Sequence, residues 1–463
     1  MAIKENKMGV EPVGTLLLKM AIPLMFSMLI QALYNFVDGV FIAKISQEAF
    51  TAISVSLVLQ NLTMGVIIGT AVGTTSTLSK ALGAMDYERA NKTAGNGIFL
   101  SLILAVIAAV ISILLINPFL RLQTSSQQTF EYGREYLIIC MIGLVAPYLQ
   151  IIFERILQAT GKAMLSTIIQ VTGALINIIL DPIMIFGLFG FPKMGVKGAA
   201  IATVTAQAFA AILGLIINLK FNKELSFKLK YLKPDLEIIK KIFEIGLSSA
   251  VMISITSVML FLANRILRTF SETAIAVLGA YFKIQNFIFM TVFGINQALI
   301  PIVSYNYGAK KRKRIDDVIK YAVLYSFILM VIGTLIVELL PRQLLGMFSA
   351  NADMMRIGIP AFRIIGLSFL FAGIDIILSS TFQSLGKPLR ALLISFIRQM
   401  VVLMPVMYLL SLKRNLDLVW AAFPISEVIC LIVCLTLFFD MMKNLSVKRT
   451  DDNKIDCLEN ESY

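Results

Sequence analysis

Residues Gln31 to Ile45 read QALYNFVDGVFIAKI, a stretch compatible with hydrocarbon along most of its length but carrying a carboxylate, Asp38, near its middle. A charge at the centre of a membrane helix costs about 2.5 to 3.5 kcal/mol or more, so an acid kept there points to a working site. Tyr34 lies one helical turn before Asp38 and Gln31 two turns before it, which puts three polar groups on one face. That face is expected to turn away from lipid.

The stretch closes an apolar run from about Gly14 to Ile42, and comparable runs recur along the whole 463-residue chain. Each has the roughly 20 residues that a helix needs to cross about 30 Å of hydrocarbon. Composition agrees, with 58% of residues hydrophobic and 15% charged, against about 45–50% and about 25% in soluble domains. Lipid offers no partner to backbone N–H and C=O groups, so the expected fold class is an all-α integral membrane protein. The first run is too long for a signal-peptide core and lacks a small-residue cleavage site, so it reads as a retained helix.

Helices are expected at roughly 14–42, 50–79, 94–116, 135–157, 163–189 and 198–219, then at 242–268, 273–303, 318–340, 356–383, 388–411 and 418–440. Between the two sets lies Lys220 to Lys241, KFNKELSFKLKYLKPDLEIIKK, whose seven lysines mark a hydrophilic connector. Sliding the chain on itself by 225 positions pairs Gln60-Asn61 with Gln285-Asn286, Gly69 with Gly294, Gly83-Ala84 with Gly308-Ala309, Gln158 with Gln383, and Gly161-Lys162 with Gly386-Lys387. Six spans per half return the chain to the same side, which makes this a parallel repeat about an axis along the membrane normal. The expectation is twelve transmembrane helices in two pseudo-symmetric six-helix bundles with a central cavity between the lobes. The organisation follows as an N-lobe at 1–219, a basic linker at 220–241, a C-lobe at 242–440 and a tail at 441–463.

Lys and Arg concentrate in the termini and in the loops on the N-terminal side, including the cluster Lys310 to Arg314. That bias places both termini in the cytoplasm and reads the cluster as a topology determinant rather than a nucleic-acid patch. The protein is expected in a cell membrane, in contact with lipid and as a monomer. Histidine is absent, and Cys140, Cys430, Cys434 and Cys457 show no metal or disulfide spacing; any proton coupling must therefore use carboxylates. With no nucleophile constellation, phosphate-binding glycine loop or metal spacing, no enzyme and no cofactor are expected. Energy for any transport then comes from an ion gradient.

A second intramembrane acid, Asp181, lies in NIILDPIMIFG, one helical turn after Asn177 and directly before Pro182. Adding 225 to Asp38 gives Ala263, and after a two-residue slip that aligns Pro182 with Pro405, Asp181 falls on Met404. Both acids therefore belong to the first half alone. Asp38, Asp181, Thr203 and Tyr136 are expected at one depth, in the outer half of the first bundle, with Tyr136 starting helix 4. Two carboxylates in a low-dielectric pocket cannot cheaply both stay charged, so the pair calls for a shared H⁺ or a Na⁺.

The segments LYNFVDGVFIAKI, NIILDP and GAAIAT at Gly198 to Thr203, with the Gly-Ala turns after helices 2 and 8, resemble the MATE, or multidrug and toxic compound extrusion, transporters. The resemblance covers nearly the whole chain. It implies a secondary antiporter that expels small organic, mainly cationic or lipophilic compounds against inward H⁺ or Na⁺. In its DinF-like members the cation site takes an aspartate on helix 1, an Asn and Asp on helix 5 and a Thr on helix 6. Carried over, these are Asp38, Asn177, Asp181 and Thr203, with Thr205 a close rival, Gln31, Tyr34 and Tyr136 nearby, and Pro23 as the helix 1 bend. NorM-like members place an acid on helix 7, where this chain has Thr256, and the second half offers only Asp375 on helix 10. A flippase for lipid-linked oligosaccharide or peptidoglycan precursors would share the architecture and stands as the alternative.

Further charges lie inside spans. Lys283, Arg398 and Glu427 sit two or three turns from helix ends, too deep for easy snorkelling, and either line the cavity or pair with Asp375. Arg155, Arg265, Glu154 and Glu338 lie within about a turn of an end, where snorkelling accounts for them. The 23 Met and 31 Phe residues suit a promiscuous pocket for flat lipophilic cations but are ordinary membrane core as well.

Overall fold

The computed structural model describes residues 5–348 and 350–460, with side chains described for 5–252, 254–348 and 350–443. The side chain of Cys457 and the last three positions of the 441–463 tail lie outside the described residues. The first half of the chain forms α1 (Lys7–Val10), α2 (Val13–Ala43), α3 (Gln47–Gly83), α4 (Tyr87–Gln123), α5 (Gln127–Ile142), α6 (Val145–Ala159), α7 (Ala163–Phe186) and α8 (Val196–Phe221). The second forms α9 (Leu236–Arg268), α10 (Glu272–Gly308), α11 (Arg312–Leu339), α12 (Pro341–Gly346), α13 (Ala352–Gly366), α14 (Phe369–Ser384), α15 (Pro388–Phe396), α16 (Met404–Ser411), α17 (Leu416–Trp420) and α18 (Ala422–Asn460). Among the described residues, ten helices are long and apolar enough to cross a membrane, and twelve if each of two bent pairs counts as one span.

Polar residues punctuate the apolar runs. Ser46, Asp86 and Ser126 accept hydrogen bonds from the first-turn amides of Ala49, Arg89 and Thr129, starting α3, α4 and α5, each cap being worth about 1 kcal/mol. Gly187, in the left-handed conformation at φ +76°, ends α7. Between caps, α4 turns Ile103, Val106, Ile107, Val110 and Leu114 outward. In water that stripe would be an aggregation hazard; in a bilayer it is the lipid face.

The bent pairs are α5 with α6, at 50°, and α13 with α14, at 47°. The expectation of single straight spans at 135–157 and 356–383 gives way to broken ones, and the break at Gly143 recurs 225 positions on, at Ser368. Pro147 contributes to the first break, because it has no N–H to return to the Gly143 carbonyl. The repeat reaches the turns too: Met85 and Lys310 have φ +58° and +56°, and Gly161 and Gly386 have φ +79° and +72°.

Two compact units emerge. One comprises Met1–Ile253, Gln285–Ala322 and Gln383–Pro388, so it joins the first six-helix set to the ends of α9, α10 and α11 nearest residues 236, 308 and 312. Within it, glycines let backbones touch across the repeat. A Cβ at Gly83 would collide with the carbonyl oxygen of Tyr305, and one at Gly308 with that of Lys80, which is the same contact displaced by 225. Gly69 and Gly246 face each other so closely that a Cβ on Gly246 would lie 2.8 Å from the Gly69 oxygen.

The N-terminal segment is threaded into the same unit. Asn6 caps α1 and donates to the Thr160 carbonyl at 3.1 Å and to Glu224 at 2.7 Å. From the other side Asn306 donates to the Met8 carbonyl at 2.9 Å, and Arg314 reaches the carbonyls of Met8 at 3.1 Å and Glu11 at 2.7 Å. Burial pushes the Lys7 ammonium below its usual pKa of 10.5. The other unit comprises Ser254–Ile284, Val323–Phe382 and Leu389–Tyr463. Its core is aromatic: the Tyr281 ring lies 5.8 Å from Phe362 and 6.0 Å from Phe369.

Candidate ion site

Asp38 and Asp181 each lie five residues before the end of their helix, at Ala43 on α2 and Phe186 on α7. The two helices pack in parallel, with Ser27 and Gln31 of α2 both hydrogen-bonded to Gln170 of α7. Eleven residues on from Ser27 and from Gln170, the same register brings the carboxyls of Asp38 and Asp181 within hydrogen-bonding reach of each other. Carboxylates only accept, so the contact becomes a bond only with a proton between them.

Asp181 is 0% exposed. Asn177, one turn earlier, donates from Nδ2 to Asp181 Oδ1 and to Thr203 Oγ1, both at 3.3 Å, tying α7 to α8. Thr203, rather than Thr205, is the residue that meets Asn177 in this network. Asp38 Oδ1, Asp181 Oδ2 and Asn177 Oδ1 are buried without a hydrogen-bond partner. Three orphan oxygens at one point invite a proton or a cation, since an unmet buried acceptor costs about 1–3 kcal/mol, and more when charged. Among the described residues, no Lys or Arg acts on either carboxylate.

The neighbours fall into place unevenly. Tyr34 lies close to both carboxyls, and Gln31 is held by Gln170 at 3.0 Å. Tyr136 does not start its helix, as α5 begins nine residues earlier, at Gln127. The cap at Ser126 sets that start, which the polar composition of 127–134 had hidden. Tyr136 is buried in the first-half core with its hydroxyl in reach of Gln60, within range of the Asp38 charge. Pro23 lies inside α2, which runs unbroken from Val13 to Ala43.

In the other unit Arg398 donates to Glu427 at 3.5 Å. Asp375, 2% exposed, faces Glu427 and has only the weak thiol donors Cys430 and Cys434 beside it among the described side chains. Pairing thus gathers Asp375, Arg398 and Glu427, while Lys283 stands apart, exposed, 5.7 Å over the ring of Phe348. Arg398 sits in a π-helical segment, Ile397–Leu403, within the interval where the repeat slips by two residues. Sequence reasoning missed Ser27 and Gln170, although their spacing from Asp38 and Asp181, eleven residues in both helices, was there to be read.

The profile of the family described as MatE matches residues 23–183 and 247–409. The chain belongs to the MatE family. It is accordingly a multi-span membrane transporter and not an enzyme. It is 27% identical over 433 residues to the multidrug export protein MepA of Staphylococcus haemolyticus, covering 93% of this chain and 94% of the relative. It is 28% identical over 412 residues to the probable multidrug resistance protein NorM of Thermotoga maritima, covering 88% and 87%. In fold it matches a MOP superfamily transporter from Pyrococcus furiosus with a TM-score of 0.89, 23% identity and coverage of 96% and 99%. MatE-family folding thus accounts for the two-lobe, all-helical architecture.

Proposed function

We propose that this chain is a secondary antiporter that expels organic, mainly cationic or lipophilic compounds in exchange for inward H⁺ or Na⁺. The observation that carries the reading is the Asp38–Asp181 carboxyl pair in the first half, which with Asn177 presents three buried oxygens without a hydrogen-bond partner and has no Lys or Arg acting on it among the described residues. The names of the MepA and NorM relatives support multidrug export. Two neighbouring carboxylates in a low-dielectric surround repel, so the pair takes up one monovalent cation as it is loaded. Asp38 Oδ1, Asp181 Oδ2, Asn177 Oδ1 and Thr203 Oγ1 are hard donors that suit Na⁺ as well as a proton.

Loading removes the repulsion between α2 and α7, and α2 responds at Pro23, where the missing N–H leaves one helical rung open. Compound binding favours the unloaded pair, which makes the two events exclusive and couples their fluxes. Tyr34 borders the pair and Gln31 lies two turns before Asp38 on the same helix face, both placed to sense the compound, with Tyr136 packed behind them in the core. The lobes are residues 1–219 and 242–440, and both termini lie in the cytoplasm of a bacterial cell, with the chain acting as a monomer. Efflux from proteoliposomes, with Na⁺ and pH gradients imposed separately, tests the reading. Export by Asp38→Asn at the wild-type rate and with wild-type coupling would overturn it.

A further inference from the structure

Glu154 was expected to snorkel from near the end of its helix. It is instead 7% exposed, on the face of α6 turned into the first-half bundle. It accepts one hydrogen bond, from Gln150 Nε2 at 3.0 Å. The adjacent Arg155 sends its guanidinium to Gln158 at 3.1 Å, not to Glu154. No other charged side chain acts on Glu154 from α3, α4, α7 or α8 among the described residues, and it takes part in no ion pair. Arg155 acts on Glu154 through space and offsets part of the cost of a charge there; even so, a carboxylate with one neutral donor and no ion pair, buried within a membrane span, carries a desolvation penalty, and a protonated one is nearly satisfied.

Its place in the bundle gives that acid a use. Gln150 lies beside Gly173 of α7, where a Cβ would come 3.8 Å from its Nε2. Because α6 runs antiparallel to α7, Glu154 stands one turn beyond Gln150, level with Gln170. Gln170 is the residue that binds Ser27 and Gln31 at the lower end of the α2–α7 seam. From that level to Asp181 is eleven residues of helix, about 16 Å. Toward the N-terminal end of the bundle, α6 stops only five residues after Glu154, at Ala159, beside the partly exposed Lys162–Glu224 pair. The acid pair thus sits toward one end of the first bundle, and Glu154, on α6, sits toward the other.

We propose that Glu154 is a second, proton-specific station on the ion route, holding a proton between the Asp38–Asp181 pair and the water at the N-terminal end. The proposal rests on the antiport reading above. The proton breaks from the Asp38–Asp181 pair, which is left as two carboxylates, crosses on water of the open cavity to a Glu154 carboxyl oxygen, and then breaks from that oxygen to water at the α6 end, leaving a carboxylate that Gln150 holds until reloading. A single amide donor offers no coordination shell for Na⁺, so the station serves H⁺ alone.

The test uses the full chain in liposomes, with ethidium as the probe cation, a pH-sensitive dye inside and Na⁺ equal on both sides. Wild-type protein is expected to exchange ethidium for protons. Glu154→Gln is expected to lower the proton flux by on the order of tenfold or more while ethidium still binds, and Glu154→Asp to restore most of it. Wild-type proton flux in Glu154→Gln overturns the proposal. Should that variant not fold, wild-type protein treated with a hydrophobic carbodiimide answers instead: an adduct on Glu154, lost as pH is raised, supports the station, and an unmodified Glu154 overturns it. Exchange driven by Na⁺ alone in wild type sinks the station but leaves antiport standing, whereas no exchange with either gradient sinks the antiport reading itself.

Discussion

Asp181 has no exposed surface and only one donor, Asn177, so its partner across the seam decides its state. Asp38→Asn and Asp181→Asn are each expected to fold, bind compound and fail to couple; cells carrying either should be as drug-sensitive as cells lacking the protein, measured by growth on ethidium. Asn177→Ala removes the link to Thr203 as well and should weaken coupling only partly, about 5- to 100-fold in the ion concentration that half-saturates transport. In the other unit Arg398→Ala strands Glu427 beside Asp375, an expected loss of about 3–5 kcal/mol by thermal unfolding in detergent, partly recovered by adding Glu427→Gln. The acids themselves were legible, because a carboxylate in an apolar run announces itself. Glu154 was misread because distance from a helix end says how far a side chain must reach, not which way it faces. Facing is set by packing, and the packing of α6 against α7 and α8 is a tertiary fact.

Elements were legible where the apolar period was long and illegible where two short helices share one span. The runs 135–157 and 356–383 carry no charge or cap at their midpoints, so the 50° and 47° breaks left little trace beyond Gly143 and Pro147. At element scale the N-terminal segment offers a sharp test. Arg314→Ala deletes three hydrogen bonds, to Asn306, Met8 and Glu11. Charge-assisted bonds of this kind contribute about 1.5–3 kcal/mol, so amide hydrogen exchange in residues 6–10 should quicken by about ten- to a hundredfold. Gly69→Val, by contrast, forces a branched side chain against the Gly246 backbone and should lower thermal stability by about 1–3 kcal/mol or more.

For the whole molecule, the repeat carries the architecture, since one offset pairs residues over most of the chain. The same offset exposes the difference between the halves, since Asp38 falls on Ala263 and Asp181 on Met404; what it could not supply were the cross-helix bonds, such as those of Gln170 to Ser27 and Gln31, which packing sets. At this scale orientation is testable: single cysteines at Lys230 and Lys193, in a background without native cysteines, should react with a membrane-impermeant maleimide from the cytoplasmic and the outer face respectively. Reaction of both from one face contradicts the placement of the termini. The broken spans also separate what the two copies share from what they do not. A bend that recurs at positions 143 and 368 belongs to the repeated scaffold, so each half carries its own joint. The acid pair lies on one copy alone, so two halves with the same joint are unequally equipped to answer an ion.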